Sequence, residues 1–329
     1  MHVAVVGAGI MGSAAARALA RSGHDVTVFE QFRIGHDRGS SHGRSRIFRL
    51  AYPELEYVRL AQAALRGWRE LEAETGTAVL ELTGLLEVVA DPAESSRDVL
   101  EAAGADSELL SAEEVGRRWP VAIPQGWTGL LQPEAGIVRA DLAQRAFLDS
   151  ALAHGAQVQE ETRVESLDDL DAEVVVVTAG AWVRRLIPDL PVRPTRETLA
   201  YFRREGVAVP SIGQLDPETR GHVQYSLHDP CYGLKSGVHH AGREIDPDES
   251  GDPDPELLEQ IAAWVAHRHP DTDPEPAEAE TCLYTNTADE RFILERRGRV
   301  VIGSACSGHG FKFAPAIGRR LAQMTADIL

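Results

Sequence analysis

The first thirty residues restrict the fold of this chain more than any other part of the sequence. An apolar strand over Val3–Val6 leads into a turn with glycines at positions 7, 9 and 12, and a helix over Ser13–Arg21 follows. A second strand, Val26–Phe29, ends at Glu30. This order of strand, glycine turn, helix, strand and acidic residue is the dinucleotide-binding fingerprint. The sequence therefore predicts an α/β fold that begins with a cofactor-binding unit.

Each residue type in the fingerprint has a physical reason. Gly7 permits the tight turn, Gly9 lets the backbone approach a pyrophosphate, and Gly12 allows the helix to pack closely on the strand. The N-terminus of the helix offers free N–H groups and a partial positive charge to the phosphates. Glu30 is expected to accept hydrogen bonds from a ribose. The fingerprint alone leaves FAD and NAD open as the cofactor.

A basic segment follows the second strand and favours FAD over NAD, because no simple nicotinamide domain carries such a segment there. Residues 35–52 hold four arginines and two histidines against one acid, Asp37, in a chain of formal net charge -18. The turn Gly39–Gly43 suits close approach of the backbone to a ligand, and arginines spaced three apart can share an anion. A solvated basic loop is the simpler alternative. The acidic balance of the whole chain argues against a nucleic-acid partner.

The basic segment also carries a family resemblance. Residues 39–52, GSSHGRSRIFRLAY, resemble the monomeric sarcosine oxidase and N-methyltryptophan oxidase family of the D-amino-acid oxidase superfamily. Further blocks match the family in order: Val174–Trp182, Gly233–Lys235 with His239, Cys282–Ile293 and Ser307–Phe313. The resemblance implies an α/β fold with a Rossmann-like FAD-binding domain of the glutathione-reductase type. A second, α+β substrate domain is expected to carry a mixed sheet over the flavin.

The matched blocks also suggest how the chain is divided. We expect the FAD-binding domain to be discontinuous and to comprise residues 1–83, 138–192 and 283–329. The substrate domain is expected to take residues 84–137 and 193–282, with strands over Gly84–Ala90 and Glu197–Arg203. Ser111–Glu114 predicts a capping box at the start of a short helix, and Asp141 predicts the N-cap of a helix that ends near His154.

The resemblance implies an activity, namely FAD-dependent oxidation of the C–N bond of a secondary-amine amino acid to an imine, with hydrogen peroxide as the second product. Arg49 and Lys312 are expected to bind the substrate carboxylate, and Lys235 is expected to activate oxygen. The substrate pocket is expected to contain Tyr284, His239 and Tyr225. His42 and Arg46 resemble residues that lie against the flavin ring, and we count them with Lys235 and Lys312 among the catalytic groups.

The cofactor is expected to be FAD, bound covalently through Cys282, since the matching cysteine of the family attaches to the flavin ring. A small buried strand residue is the alternative reading of Cys282. Ser45 stands where the family has a threonine. The expected cofactor contacts are Gly7, Gly9, Ile10, Met11, Gly12, Glu30, Gln31, Ser40, Ser41, His42, Arg46, Ala179, Gly180, Trp182, Cys282, Gly308, Gly310, Phe311 and Lys312.

Lysine usage supports two of these roles independently of the family. Of the 33 basic residues, two are lysines, Lys235 and Lys312, and both fall inside matched blocks. A chain that uses arginine almost everywhere else keeps lysine where a compact ammonium does what a planar guanidinium cannot. Chance survival of two surface lysines is the alternative.

The remaining composition excludes several classes of function. The three cysteines have no pattern that indicates a disulfide framework or a zinc site, and the adjacent His239 and His240 do not fall on one helical face, so no metal site is predicted. No stretch approaches the ~20 apolar residues of a membrane span. Because the chain opens directly into a strand, we expect a cytoplasmic protein without membrane contact, and we expect a monomer.

The substrate stays open at this stage. At 329 residues the chain is shorter than the family pattern, and the missing length falls in the substrate domain and in the loop between Ile293 and Val300. Sarcosine, larger N-methyl amino acids, cyclic imino acids such as proline or pipecolate, and a biosynthetic intermediate all remain candidates. The alternatives in activity are an FAD-dependent amino-acid dehydrogenase, a glycine or D-amino-acid oxidase-like enzyme, and a nicotinamide-dependent dehydrogenase.

Overall fold

A computed structural model describes residues 1–215 and 222–326 of the chain. Its strands are β1 (His2–Val6), β2 (Asp25–Phe29), β3 (Ser45–Phe48), β4 (Leu80–Glu81), β5 (Leu85–Val89), β6 (Glu108–Ser111), β7 (Thr128–Gln132), β8 (Gly136–Arg139), β9 (Gln157–Gln159), β10 (Val174–Val177), β11 (Arg193–Arg203), β12 (Ser211–Leu215), β13 (Val223–Asp229), β14 (Gly233–Val238), β15 (Arg243–Glu244), β16 (Pro276–Asn286), β17 (Ile293–Arg297) and β18 (Val300–Ser304). Its helices are α1 (Ile10–Arg21), α2 (Leu55–Thr75), α3 (Arg97–Ala102), α4 (Ala112–Arg118), α5 (Ala140–Ala153), α6 (Val183–Leu186), α7 (Pro255–Arg268) and α8 (Ala314–Ala326). Within the two described ranges, none of the helices has the length and apolar character needed to cross a membrane.

A six-stranded sheet in the order β17-β18-β10-β1-β2-β9 forms the first layer. Strand β1 pairs in parallel with β2 and β10, and Val3–Val6 lie opposite Val174–Val177. These valine runs are buried on both faces of the sheet, as a parallel sheet covered on each side requires. Helices α1, α5 and α8 cover one face through a core that includes Leu19, Phe147 and Leu321. The predicted α/β fold is confirmed.

A mixed sheet forms the second layer. Its strands run in the order β15-β11-β14-β13-β12-β5-β7-β6, with β16 also paired to β11. Strands β5 and β12 are parallel, and the other pairs are antiparallel. Along β11 the side chains alternate between the two faces of the sheet. Ala200 and Phe202 join a core with Trp264 of α7. Leu199 and Tyr201 pack on the other face with Cys282 and Tyr284 of β16. One face of this sheet is therefore closed by α7, and the other carries polar and reactive side chains.

A small sheet of β3, β8 and β4 holds the basic segment between the two layers. Ser45–Phe48 pair antiparallel with Gly136–Arg139, so this part of the basic segment forms an edge strand of the small sheet. Gly136 must be glycine, because it has a φ of 155° and an added Cβ would lie 2.1 Å from the carbonyl oxygen of Glu81.

The strands segregate by sequence range. The six-stranded sheet draws on residues 2–29, 157–177 and 293–304, and the mixed sheet draws on residues 85–132 and 193–286. On this ground we propose the two-domain division expected from the sequence, with two boundaries moved. The expected boundary at 283 falls inside β16, which pairs with β11 of the mixed sheet, so this boundary belongs after the end of β16. The boundary at 138 falls inside β8, which pairs with β3 and β4 of the expected FAD-binding range, so it belongs before the start of β8.

The two predicted helix starts have opposite outcomes. The capping box is confirmed, because the Ser111 side chain accepts from the backbone N–H of Glu114 while the Glu114 side chain accepts from that of Ser111. The prediction that Asp141 caps α5 is wrong. The N-cap is Arg139, with no side-chain capping bond, and Asp141 lies in the first turn, where it pairs with Arg139 at 3.1 Å. A carboxylate there still interacts favourably with the helix dipole.

Candidate functional site

The glycine turn between β1 and α1 forms one end of a deep cleft. Gly7 has a φ of 97°, and a Cβ on it would lie 2.6 Å from the carbonyl oxygen of Thr178. A Cβ on Gly12 would lie 1.8 Å from the carbonyl oxygen of Gly7, so this glycine is needed for packing. The turn leaves the start of α1 open toward the cleft, and Ser41 receives a hydrogen bond of 3.0 Å from the backbone N–H of Ile10. This geometry suits a pyrophosphate.

Glu30 stands at the end of β2 beside the turn. It is buried, and its carboxylate accepts hydrogen bonds from the backbone N–H groups of Ala8 (2.8 Å) and Phe32 (3.0 Å). These two bonds fix the carboxylate on the cleft wall and leave further lone pairs for ligand hydroxyls. Nearby, the backbone N–H of Thr162 donates to the carbonyl of Glu30 at 2.7 Å and brings residues 162–164 to the same end of the cleft.

The basic segment lines the middle of the cleft. The guanidinium of Arg46 donates to the carbonyl oxygens of Ser40 (2.9 Å), His42 (2.6 Å) and Ser45 (2.9 Å). Backbone carbonyl oxygens of the same segment therefore stabilise the positive charge of Arg46. Burial and the charge of Arg46 lower the pKa of His42 to about 4, so this imidazole is neutral at pH 7.

Lys235 enters the cleft from β14 and is almost wholly buried, at 2% exposure. Its Nζ lies 3.5 Å from the carbonyl oxygen of Ser45 and 3.8 Å from Oε1 of Glu280. Burial and the neighbouring Arg46 lower the pKa of Lys235 to about 8. The structure thus provides a buried lysine whose charged form is less favoured than that of a solvent-exposed lysine.

Arg49 and Lys312 form a second cationic group at the other end of the cleft. The Nζ of Lys312 donates to Tyr52 Oη (3.0 Å) and to the carbonyl oxygen of His309 (2.8 Å), and the guanidinium carbon of Arg49 lies 4.5 Å from the ring centroid of Tyr52. Burial and Arg49 lower the pKa of Lys312 well below its usual value. In the described part of the chain no carboxylate pairs with either cation. Two cations side by side without a counter-ion make an anion site.

Polar aromatic side chains form the wall beside these cations. His239 Nδ1 lies 3.2 Å from Tyr284 Oη, and Tyr225 lines the same cleft. Burial lowers the pKa of His239 and raises those of both tyrosines, so all three groups are neutral at pH 7. A Cβ on Gly308 would lie 2.2 Å from the Tyr284 ring and 2.4 Å from that of His239, so glycine at 308 is required by this wall.

Cys282 lies on β16 between Glu280 and Tyr284 and on the same face, because alternate residues of a strand share a face. It is buried, and burial raises the pKa of its thiol to about 11, against the opposing effects of Arg46 and Lys235. Cys306 also lines the cleft, and its Sγ accepts from the backbone N–H of Thr285 at 3.3 Å. Cys231 is exposed.

The structure brings the predicted site residues together in one cleft that encloses about 2070 Å³, its open mouth included. Gly12 is the exception and packs behind the glycine turn. The others line the cleft: Gly7, Gly9, Ile10, Met11, Glu30, Gln31, Ser40, Ser41, His42, Arg46, Arg49, Ala179, Gly180, Trp182, Tyr225, Lys235, His239, Cys282, Tyr284, Gly308, Gly310, Phe311 and Lys312. The elongated set, with a phosphate end and a cationic end, fits a dinucleotide with a substrate site beyond it.

Some residues of the site were missed from the sequence. Gln144 donates from α5 to the carbonyl of Ala8 at 2.6 Å, and Glu280 contacts Lys235. No sequence pattern marks Gln144. Glu280 had a usable signal, because it lies two residues before Cys282 and therefore on the same strand face.

One group of possible metal ligands lies near the cleft. His239, His240 and Glu290 place ligand atoms within 4.8 Å of one another, so the two adjacent histidines do converge, contrary to the reasoning from helical spacing. They lie just after β14 in a non-helical turn, where His240 has a φ of 59°. His239 is hydrogen-bonded to Tyr284, and His240 lies 3.6 Å from the Glu290 carboxylate. Nε2 of His240 is buried and has no hydrogen-bond partner within residues 1–215 and 222–326.

Comparisons with known proteins agree with this geometry. A family model described as FAD dependent oxidoreductase matches residues 2–324. Human peroxisomal sarcosine oxidase is 33% identical over 362 residues, which cover 98% of this chain and 92% of that protein. Monomeric sarcosine oxidase of Bacillus sp. (strain B-0618) is 33% identical, covering 98% and 91%. The resemblance predicted from the residue blocks is confirmed.

Solved structures extend the likeness to the fold. NikD, described as an unusual amino acid oxidase essential for nikkomycin biosynthesis, superimposes with a TM-score of 0.87 at 24% identity and covers 99% of this chain and 93% of its own. L-proline dehydrogenase from P. horikoshii has a TM-score of 0.86 at 22% identity, with the same coverage of 99% and 93%. The overall fold, with its mainly parallel sheet and its second, mixed sheet, is therefore shared with these proteins.

Proposed function

This chain belongs to the family of FAD-dependent oxidoreductases, and we propose that within it the protein is an oxidase of small amino acids with a secondary amine. The products would be an imine, which water hydrolyses, and hydrogen peroxide. The observation that carries this proposal is the pair of cations, Arg49 and Lys312, which lie in the cleft without a carboxylate partner. The sarcosine oxidases that resemble this chain lead us to propose N-methyl or cyclic imino acids as the substrate class.

The cation pair defines one end of the substrate. Arg49 offers two parallel N–H donors to a carboxylate, and Lys312, held by Tyr52 and His309, adds a compact positive charge from the side. A bound carboxylate would supply the counter-charge that these cations lack. Binding at this end would orient the rest of the substrate along the wall formed by Tyr284 and His239.

The same charges favour a substrate whose amine is neutral. A protonated amine would bring a third positive charge into a buried region that already holds Arg49 and Lys312. Tyr284, Tyr225 and His239 are neutral hydrogen-bonding groups on the adjacent wall and supply no carboxylate to stabilise an ammonium. A neutral amine keeps its lone pair, which is needed for loss of hydride from the neighbouring carbon.

FAD fits the cleft by several independent features, namely the glycine turn that a Cβ would fill, the fixed carboxylate of Glu30 and the open start of α1. When bound, it would accept the hydride, and so the two electrons, of the C–H bond next to the amine nitrogen and pass the electrons to oxygen. The protein supplies position and charge. We propose that Lys235 stabilises the negative charge that develops on oxygen, since it is a buried basic side chain of the same cleft with partners other than Arg49 and Lys312.

We propose that FAD is attached covalently through Cys282. Linkage replaces one S–H and one C–H bond by an S–C bond, so two electrons and two protons leave, and oxygen can accept both as hydrogen peroxide. A thiolate is the nucleophile. Burial opposes its formation, whereas Arg46 and Lys235 favour it. Cys282 is the buried one of the three cysteines, which lie at different depths.

The covalent link predicts where the yellow colour goes on denaturation. Acid-precipitated wild-type protein should retain its flavin, and Cys282→Ser should release it, because the alcohol of serine is far less nucleophilic than a thiolate. Absorbance of pellet and supernatant measures this. Cys306→Ser, which also lines the cleft, is the matched control and should retain the colour. Release of flavin from the wild type would contradict the covalent link while leaving the FAD site in place.

The activity itself is tested by peroxide release under air. Sarcosine, N-methylated larger amino acids, proline and pipecolate should yield peroxide, whereas glycine and D-alanine, as primary amines, should yield at least about 10-fold less at equal concentration. Flavin bleaching by a substrate without peroxide would instead identify a dehydrogenase. Preference for a primary amine would move the protein to the glycine or D-amino-acid oxidases. We expect a single chain to be active, which sedimentation of the active species would test.

A further inference from the structure

A buried group of charges surrounds Lys235. Arg46 satisfies its guanidinium with backbone carbonyls and so adds positive charge to this region without an acid of its own. Glu280, with Oε1 at 3.8 Å from the Lys235 Nζ, is the carboxylate that pairs with Lys235 among the described residues. A buried ammonium next to a guanidinium is stable only if an anion or hydrogen bonds compensate it. Glu280 supplies that compensation.

Glu280 is itself held in place. The Tyr201 hydroxyl donates a hydrogen bond to Oε1 of Glu280, the same oxygen that faces Lys235. Tyr201 on β11 lies directly opposite Lys235 on β14 in the antiparallel register, and its ring centroid is 5.3 Å from the Lys235 Nζ. On its other side Tyr201 packs against the guanidinium of Arg44, 4.1 Å from the ring centroid. The position of the carboxylate is therefore set by the sheet.

We propose that Glu280, fixed by Tyr201, is the counter-ion that keeps Lys235 charged and positioned for the reaction of reduced flavin with oxygen. Glu280 acts through Lys235 and is a positioning residue, and the inference rests on the role proposed for Lys235 above. The titratable and charged groups that face Lys235 are Arg46 of β3, His42 of the preceding loop, Tyr201 of β11, Asp229 of β13, and Glu280 and Cys282 of β16.

The balance among these groups gives the sign of the effect. Burial and Arg46 lower the pKa of Lys235 to about 8, and Glu280 opposes both. Burial also disfavours the charged form of Glu280, but Lys235 and Tyr201 outweigh it, so the pKa of Glu280 stays below its usual value and the carboxylate is ionised at pH 7. Without that carboxylate the pKa of Lys235 would fall further, and a smaller fraction of Lys235 would be protonated at neutral pH.

The lysine content makes the ionisation directly measurable. With lysine labelled at ¹³Cε, the holoprotein gives two lysine signals, and Lys235→Met identifies the one from Lys235. In Glu280→Gln we expect the pH at the midpoint of the Lys235 titration to fall by about one unit or more. Glu278→Gln is the matched control, because Glu278 lies on the same strand but pairs with Arg44 at 3.1 Å. Its Lys235 midpoint should stay within about 0.3 of wild type, since the charge is farther away.

Reoxidation of the reduced holoprotein by oxygen supplies the second readout. As the pH rises, this rate should fall in both proteins, and the fall should begin at a lower pH in Glu280→Gln than in wild type. At low pH, where Lys235 is charged in both, the two rates should be similar. Glu280→Asp keeps the negative charge but places it farther from Lys235, so its titration midpoint should lie between those of wild type and Glu280→Gln. This variant also provides the test if Glu280→Gln does not fold. Equal Lys235 midpoints in wild type, Glu280→Gln and Glu280→Asp would overturn the proposal, as would an equal shift in Glu278→Gln. Failure of the wild type to react with oxygen would count against the proposed oxidase activity, and the lysine titration would still decide the pairing.

Discussion

Substitution of Lys235 by methionine should slow the reaction of reduced flavin with oxygen by about 10²-fold or more, because it removes a preorganised charge from a dry site where negative charge develops. Methionine keeps the length and the apolar stem of lysine but leaves the Glu280 carboxylate without its cation, so the flavin content of the variant is compared first. Reduction of the flavin by substrate should change much less, since Lys235 is separate from the cations proposed to bind the carboxylate. Stopped-flow absorbance measures the two half-reactions separately.

The second lysine provides a control with the opposite pattern. Lys312→Met should impair reduction of the flavin by substrate and leave the oxygen reaction of chemically reduced flavin nearly unchanged. Flavin content must be compared first, so that a loss of cofactor is not counted as a loss of rate. Equal oxygen rates in wild type and Lys235→Met would contradict the proposed role of Lys235. Equal losses in both half-reactions would indicate damage to the fold.

The local sequence predicted the fold where a short segment determines its own geometry. The strand, turn and helix of residues 3–21 need glycines at fixed places, and the structure has the glycines at those places. The capping box at Ser111 is likewise a contact between residues three apart. Asp141 failed because N-cap preference competes with the pairing of β8, which fixes Arg139 as the last extended residue before α5. Tertiary pairing overrode a local propensity.

The site was predicted less evenly. Residues inside recognisable blocks, such as Arg49 and Lys312, converge on one cleft although they lie far apart in the chain. Glu280 was missed although its position two residues before Cys282 places it on the same strand face. Its pairing with Lys235 depends on the register that sets Tyr201 opposite Lys235, and strand register across long separations is not visible in one sequence. His239 and His240 converge with Glu290 for a similar reason, since a turn after β14 sets their directions.

The division of the chain shows the same limit. β16 crosses the expected boundary at 283 and carries Cys282 and Tyr284 on one continuous face. The boundary predicted from the motifs therefore assigns Cys282 and Tyr284 to different domains, although both lie on β16. The strand continues because Arg193–Arg203 pairs with it over its whole length, which only the three-dimensional register reveals.

Removal of either cation from the proposed carboxylate site should mainly weaken substrate binding. A charge-assisted hydrogen bond contributes about 1.5–3 kcal/mol, so Arg49→Met and Lys312→Met should each raise KM by about 10- to 150-fold. Each single variant keeps one cation, whereas the double variant leaves the carboxylate in a buried site with none and should show no measurable turnover. Peroxide release over a range of substrate concentrations gives KM and kcat for each variant.

The decisive comparison uses a substrate without the carboxylate. If Arg49 and Lys312 act on the carboxylate, an N-methylated amine of the same length should be a poor substrate of the wild type and should lose little further activity in Arg49→Met. In Arg49→Met, the ratio of kcat/KM for the carboxylate-bearing substrate to kcat/KM for the amine should therefore fall by the same factor by which KM for the first rises. A uniform loss with both substrates would mean that Arg49 supports the fold through its packing on Tyr52. Unchanged KM in both single variants would remove the observation on which the amino-acid assignment rests.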